Sequence, residues 1–208
     1  MPGKVYAAVL PDDLSGFDEE HQLSLQVIRE NMLKNHGYYK VTEDGVEQCL
    51  ISCDDGVYRF TPPESEEQDW TVEKLVDEAA SDAVLVDLDQ DGEKELILIS
   101  PFHGEHIYFY KKIDGDYKKV YTYDTADFAH AIYGGTLLGK PAVIIGHRKG
   151  ERNLLLFTWE QEKGQYQVEI LDRDCGPANV FKYERGTEEV LISTNREIDE
   201  VAMYTFEK

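Results

Sequence analysis

A repeat of 47 residues is the feature of this sequence that most restricts its fold. Gly45, Gly92, Gly139 and Gly186 are each separated by 47 residues, and each stands between a strand-like segment and an apolar run that ends on a small residue. A polar loop, an aromatic strand and a last strand complete the unit. Four short strands per unit of about 47 residues are typical of a β-propeller blade. The sequence therefore predicts an all-β fold made of such blades, with a tight glycine turn between the first two strands.

Helical repeats of similar length are disfavoured, because almost no segment shows a 3.6-residue apolar period. We predict one propeller domain over residues 1–208 with four or more blades. Its units are expected at about 1–34 (partial), 35–80, 81–128, 129–175 and 176–208 (partial).

The two partial units leave the closure of the propeller open. Two candidate strands precede the first full unit, and the chain ends on a strand of the third type. Either an amino-terminal strand completes the last blade and closes a ring, or the chain is the carboxy-terminal portion of a larger propeller. In the second case, exposed blade edges would favour self-association into a homo-oligomer.

Charge and cysteine content restrict the partners. The chain has 21 basic and 42 acidic residues, a formal charge of −21, which repels phosphate backbones and anionic membranes. We therefore expect a small polar molecule or a protein as the partner, with no nucleic acid and no membrane. Three cysteines without zinc-pair spacing, and no apolar segment near 18 residues, predict a cytoplasmic protein without disulfides.

The segment VDLDQDGEKELILIS, residues 86–100, is the one chemically distinctive turn of the repeat. Alternate acidic side chains could converge on a hard cation there, with Glu93 offering its carbonyl oxygen. The predicted oxygen ligands are Asp87, Asp89, Asp91, Glu93 and Glu95. A helical calcium hand is excluded, because its twelfth position would be Leu98 and flanking helices are not predicted. The other reading is an unmetallated turn.

This motif, set between two strands of a 47-residue repeat, resembles the FG-GAP or VCBS-type propeller repeat of integrin-like and many bacterial propellers. The resemblance implies a structural Ca²⁺ ion at the five positions just given, although Glu95 replaces the usual final aspartate. The repeat covers nearly the whole chain, whereas the metal motif occurs in one unit. The equivalent turns read VTEDG, TLLG and YERG.

A functional site is expected at the other end of the strands. In propellers, the loops from last to first strand and from second to third strand emerge on one axial face around the central channel. The residues predicted to bind a ligand there are His36, Asp82, His103, His130, His147, Arg148, Asn179, Asn195 and Arg196. Histidines with Asp82 could hold a transition metal, and the arginines could bind a carboxylate or phosphate. The alternative is a set of ordinary polar loops, with the arginines in inter-blade ion pairs.

Three functions remain open from the sequence. The first is a binding module for a sugar, a sugar acid or a protein. The second is a metal-assisted carbohydrate lyase or dehydratase, similar to the aldos-2-ulose dehydratase-like propellers, with His130, His147 and Arg148 as catalytic candidates. The third is a purely structural repeat segment. No serine elbow, phosphate-cradling glycine loop or dinucleotide fingerprint is present.

Overall fold

Seventeen strands and one short 3-10 helix make up the regular structure of residues 3–65 and 67–208, the part of the chain that the computed structural model describes. The 3-10 helix spans Arg196–Ile198. The strands are β1 (Val5–Ala7), β2 (Gln26–Arg29), β3 (Tyr38–Glu43), β4 (Val46–Cys53), β5 (Gly56–Thr61), β6 (Thr71–Val76), β7 (Asp82–Val86), β8 (Glu95–Ile99), β9 (Ile107–Ile113), β10 (Asp116–Tyr123), β11 (Ala129–Leu137), β12 (Lys140–His147), β13 (Leu154–Glu160), β14 (Gln165–Asp172), β15 (Pro177–Arg185), β16 (Glu188–Asn195) and β17 (Glu200–Glu207).

The strands are organised as a four-blade β-propeller arrangement, which confirms the predicted fold class. Strands β3 to β6, β7 to β10 and β11 to β14 form three antiparallel four-stranded blades, each in sequential order. Strands β15 to β17 form a fourth, three-stranded blade. The connections are short hairpins, so each blade is a local meander of the kind that the repeat predicts.

The repeated glycine lies in the turn between the first two strands of each blade. Gly45, Gly92, Gly139 and Gly186 have φ values of 79°, 96°, 72° and 62°. An L side chain is strained in this left-handed region, whereas glycine adopts it freely. The 47-residue spacing therefore arises because each blade needs one residue with a positive φ at this turn.

The core lies between successive blades. Their first strands, β3, β7, β11 and β15, contact one another in series around the axis. Between the second and third blades, Val84, Phe109 and Phe157 are completely buried, and similar apolar clusters fill the other two junctions. Every residue of β8 is buried, and its last four residues form a continuous apolar run rather than an alternating pattern.

The two ends of the chain do not share a blade. Strand β1 pairs with β2, and Val5 and Ile28 of this hairpin pack against Tyr58 and Phe60 of the first blade. Strand β17 pairs with β16 and is an edge strand in the described part of the chain. Closure of the ring by an amino-terminal strand in the last blade is therefore wrong. Self-association through the open edge stays a prediction.

The remaining global predictions concern membranes and thiols. None of the helices in residues 3–65 and 67–208 is long and apolar enough to cross a membrane. Cys49, Cys53 and Cys175 are free thiols, and the last two are buried. The described cysteines therefore act as small apolar side chains of the core.

Candidate functional site

Three histidines from the first three blades meet at the axial face. His36 precedes β3, His103 lies in the loop between β8 and β9, and His130 is the second residue of β11. The three rings form a triangle, with centroid distances of 4.6 Å from His103 to His36, 4.5 Å from His103 to His130 and 5.6 Å from His36 to His130. The repeat explains part of this arrangement, because His36 and His130 differ by 94 residues, which is two repeats.

The backbone of its loop fixes the position of His103. Its φ of 57° lies in the left-handed region, and its N–H donates a hydrogen bond of 2.7 Å to Oγ of Ser81. The Nδ1 atom is buried and has no hydrogen-bond partner among the described residues. Burial, followed by the nearby rings of His130 and His36, lowers the pKa of His103 to about 4. The imidazole is therefore neutral at pH 7, which is the form that binds metals.

The protein also orients the ring of His130. Its Nδ1 lies 2.8 Å from the carbonyl oxygen of Ala178 and must donate to it, so the Nε2 lone pair is free. Burial lowers the pKa of this histidine below its ordinary value. A hydrogen bond from one ring nitrogen to a carbonyl is the usual support of a metal-binding histidine.

Together, the three rings have the composition of a transition-metal site. His36, His103 and His130 each offer a nitrogen, and these atoms all lie within 4.8 Å of one another. Three imidazoles with an open position form the ligand set of many catalytic zinc centres. The orphaned nitrogen of His103 and the oriented ring of His130 fit such an ion. We name this set, His36, His103 and His130, the axial triad.

Aromatic side chains surround the axial triad. Phe102 lies 5.0 Å from the ring of His103, and Phe128 lies 4.9 Å from it on another side. Arg148 and Lys149 each place their cationic group 5.0 Å from the ring of Phe128. The sequence interpretation missed both phenylalanines, although each lies one or two positions before a triad histidine. The ring of Phe128 holds positive charge beside the histidines.

Among the other predicted site residues, Arg148 acts on the triad through its charge. This charge contributes to the lowered pKa of His103 and of His130. Its Nε and Nη2 atoms donate bonds of 2.9 and 2.7 Å to Glu197 of the neighbouring blade. This is the inter-blade ion pair considered from the sequence. Arg196 is exposed in the short 3-10 helix.

Asp82 is the first residue of β7 and Asn179 the third of β15, and both use their side chains locally. Each accepts a hydrogen bond of 2.9 Å from the next backbone N–H, that of Ala83 or Val180. Asp82 packs so closely on Gly37 that a Cβ added there would lie 2.4 Å from its Oδ1. Burial raises the pKa of Asp82 to about 7. The carboxyl group of Asp82 therefore lies directly against the residue that follows His36.

His147 and Asn195 are structural residues, which corrects their prediction as site residues. The Nδ1 of His147 donates to the carbonyl of Lys149 at 2.9 Å, and its Nε2 accepts the N–H of Asn153 at 3.0 Å. Neither nitrogen is left for a metal or a proton transfer. Asn195 is fully buried and bonds to Ser193 and Glu200.

The repeat contained a signal for the role of His147. Its counterpart 47 residues earlier is Ser100, whose Oγ accepts the N–H of His106, the counterpart of Asn153. Ser100 and His147 thus close the same loop in two blades. Their shared position indicates a loop-closing polar residue rather than a catalytic one.

We predict that His147→Ala lowers stability and leaves the axial triad unchanged. The substitution removes the acceptor for the buried N–H of Asn153 and leaves a cavity, so the free energy of unfolding should fall by about 2–4 kcal/mol. Denaturant unfolding measures this loss, with His21→Ala as a control, because the His21 ring is 69% exposed. A normal stability, or lost metal binding in the folded variant, would contradict the structural role.

The acidic turn of the second blade lies at the opposite end of its strands from the triad. Asp87, Asp89 and Glu95 offer oxygens that lie within 4.8 Å of one another. The ammonium group of Lys111, from β9, contacts Asp89 and lies 3.0 Å from Asp91 and 3.7 Å from Glu95. A lysine cation therefore occupies the region where the sequence predicts Ca²⁺. Calcium binding stays a prediction. The positive charge of Lys111 at this place disfavours a calcium ion there.

The axial triad is a shallow site. Cavities of 540 and 1050 Å³ lie elsewhere, the first beside Trp159 and the second between the amino-terminal segment and Trp70. His36 is exposed, so the triad opens directly to solvent. A ligand at this face would be held by a few strong polar contacts rather than by enclosure.

Comparison with solved structures shows a likeness of fold. The chain is similar to a crystal structure of a Bacteroides fragilis protein provisionally named a 6-phosphogluconolactonase, with a TM-score of 0.54 and 13% identity. The alignment covers 98% of this chain and 64% of that one. The likeness shows the propeller fold. No protein-family model matches the sequence, and no curated protein is significantly similar to it, so the FG-GAP resemblance stays a prediction.

Proposed function

We propose that this propeller binds a small anionic ligand at its axial face through a divalent transition metal held by His36, His103 and His130. The observation that carries the proposal is the convergence of three imidazoles, each with a ligand nitrogen within 4.8 Å of the others. Zinc is the best candidate, since it favours nitrogen ligands and tolerates an open position. The bound metal would act as a Lewis acid toward an oxygen of the ligand.

The charges beside the triad support an anion. The chain as a whole carries a formal charge of −21, yet Arg148 and Lys149 lie together at Phe128, next to the histidines. Lys149 forms no ion pair with any residue in the described part of the chain, so its charge is free for a ligand. A carboxylate or phosphate could bind the metal through one oxygen and approach Lys149 with another.

A sugar acid or sugar phosphate is the ligand class that we favour. Such molecules combine an anionic group with hydroxyl groups that suit a shallow, water-exposed face. The structural neighbour is named for an activity on a phosphorylated sugar lactone, and that compound therefore belongs in the ligand panel. At 13% identity, the likeness does not indicate that this chain shares that activity, because propellers of one shape serve many functions.

Cobalt titration tests this function directly. Visible absorption of the protein titrated with Co²⁺ should show one ion bound per chain, and His21→Ala should bind it equally well. Phosphate, gluconate and a sugar lactone added to the loaded protein should alter the cobalt spectrum if they coordinate the ion. Absence of cobalt binding at micromolar concentrations would refute the metal centre. Binding without any spectral response to these compounds would refute the anion role.

A further inference from the structure

The acidic turn of the second blade is already organised by its own backbone. Both carboxylate oxygens of Asp87 accept backbone bonds of 3.1 Å, from the N–H groups of Asp91 and Gly92. Asp91 accepts the N–H of Glu93 at 2.9 Å. Glu95 is completely buried and accepts the N–H of Leu88 at 2.7 Å. These bonds fix the shape of the turn without a metal ion.

The positive charge inside this turn comes from the chain itself. Lys111 directs its ammonium group at the oxygens of Asp89, Asp91 and Glu95, and its side chain is 23% exposed. It donates hydrogen bonds to Asp89 and Asp91 and lies close enough to Glu95 for an ion pair. A buried carboxylate such as Glu95 needs a paired cation to stay ionised, and Lys111 is the nearest one.

The repeat places this lysine in the blade that needs it. The preceding residue, Tyr110, has counterparts at Phe157 and Tyr204, so Lys111 aligns with Thr158 and Thr205. The blades with threonine have turns that lack the aspartates, TLLG and YERG. Among the second, third and fourth blades, the lysine and the three aspartates therefore occur together only in the second.

The same cluster joins two blades. The ammonium group of Lys111 lies 5.6 Å from the ring of Trp159 on the third blade. Gln161 donates a bond of 2.7 Å to the carbonyl of Asp89, and the Tyr166 hydroxyl donates to Glu95 at 3.3 Å. The cation thus offsets part of the negative charge of the turn at a point where the neighbouring blade packs on it.

We infer that Lys111 is the resident cation of the acidic turn, so that the turn folds without Ca²⁺ and binds Ca²⁺ only where the lysine is displaced or removed. The lysine acts as a residue that selects against divalent ions. Its removal would leave the carboxylates uncompensated and therefore raise their affinity for an added cation.

Calcium titration of the full chain and of Lys111→Met tests this inference, with Lys112→Met as the matched control, because Lys112 is the exposed next residue of β9. Calorimetry should give a Kd above about 1 mM for the unmodified protein and for Lys112→Met, the weak end of protein calcium sites. Lys111→Met should bind Ca²⁺ at least ten times more tightly, and Ca²⁺ should raise its thermal midpoint more than that of the unmodified protein.

Two results would overturn the inference. One is a Kd below about 1 mM for the unmodified protein, since the turn would then be a calcium site despite the lysine. The other is an affinity of Lys111→Met within tenfold of the unmodified protein. If Lys111→Met does not fold, Lys111→Gln replaces it, and the isotherm of the unmodified protein still decides the first point. Both results are independent of the axial triad, which lies at the other end of the strands.

Discussion

His103→Ala should lower the affinity of the axial face for Zn²⁺ or Co²⁺ by at least about 100-fold. Loss of a partner that only orients a metal ligand already costs 10–100-fold, and removal of a ligand costs more. The ring of His103 lies 4.6 and 4.5 Å from the rings of His36 and His130, the two shortest distances within the triad. Its removal leaves two histidines from blades one and three, whose rings are 5.6 Å apart.

Two further variants separate metal binding from loop structure. His103→Asn keeps a residue type that tolerates the left-handed backbone at this position, so a folded loop without the imidazole can be tested. His106→Ala removes a histidine of the same loop that lies outside the triad, and it should bind metal normally. Competition with a chromophoric chelator measures the affinities. An affinity of His103→Asn within threefold of the unmodified protein would contradict the assignment.

Asp82→Asn should stabilise the protein at pH 8 and have little effect below pH 4. Burial raises the pKa of Asp82 from 3.8 to about 7, so the folded state binds more protons than the unfolded state between these values. Stability contributed by this group therefore falls as the pH rises through that window. This rise in pKa corresponds to about 4 kcal/mol, which is the upper limit of the expected gain in unfolding free energy.

Urea unfolding at pH 4, 6 and 8, with a chelator present, measures this effect. The difference between Asp82→Asn and the unmodified protein should grow with pH, because asparagine keeps an acceptor for the N–H of Ala83 without a charge. Asp116→Asn is a suitable control, since that side chain is 77% exposed. A difference that stays constant from pH 4 to pH 8 would show that the charge of Asp82 is not the cause.

Much of the architecture follows from the sequence because the blade is a local structure. Each turn glycine meets a backbone requirement inside one hairpin, so Gly45 and its three counterparts reveal the blade period without any long-range information. The same period places His36 and His130 at equivalent starts of inner strands. The meeting of these two residues was therefore accessible from spacing alone.

The finer features depend on contacts that spacing does not encode. The sequence predicts His103 at the axial face, but its approach to the other two rings depends on a left-handed backbone and a bond to Ser81, which have no sequence signature. The sequence predicts His147 as a site residue, but its Nε2 atom accepts a hydrogen bond from Asn153 in its own loop and is not free to bind a ligand. Lys111 enters the acidic turn from a strand about 20 residues away, so the local motif alone suggests a metal and not a lysine.

The central claim, a metal held by three histidines of different blades, is tested most directly by X-ray absorption at the zinc edge. The full chain loaded with one equivalent of Zn²⁺ should show three imidazole nitrogens at about 2.0–2.1 Å, with the scattering pattern of intact rings. His103→Asn loaded in the same way should lose one of the three. A first shell of carboxylate oxygens, or a spectrum that is the same in both proteins, would contradict the account.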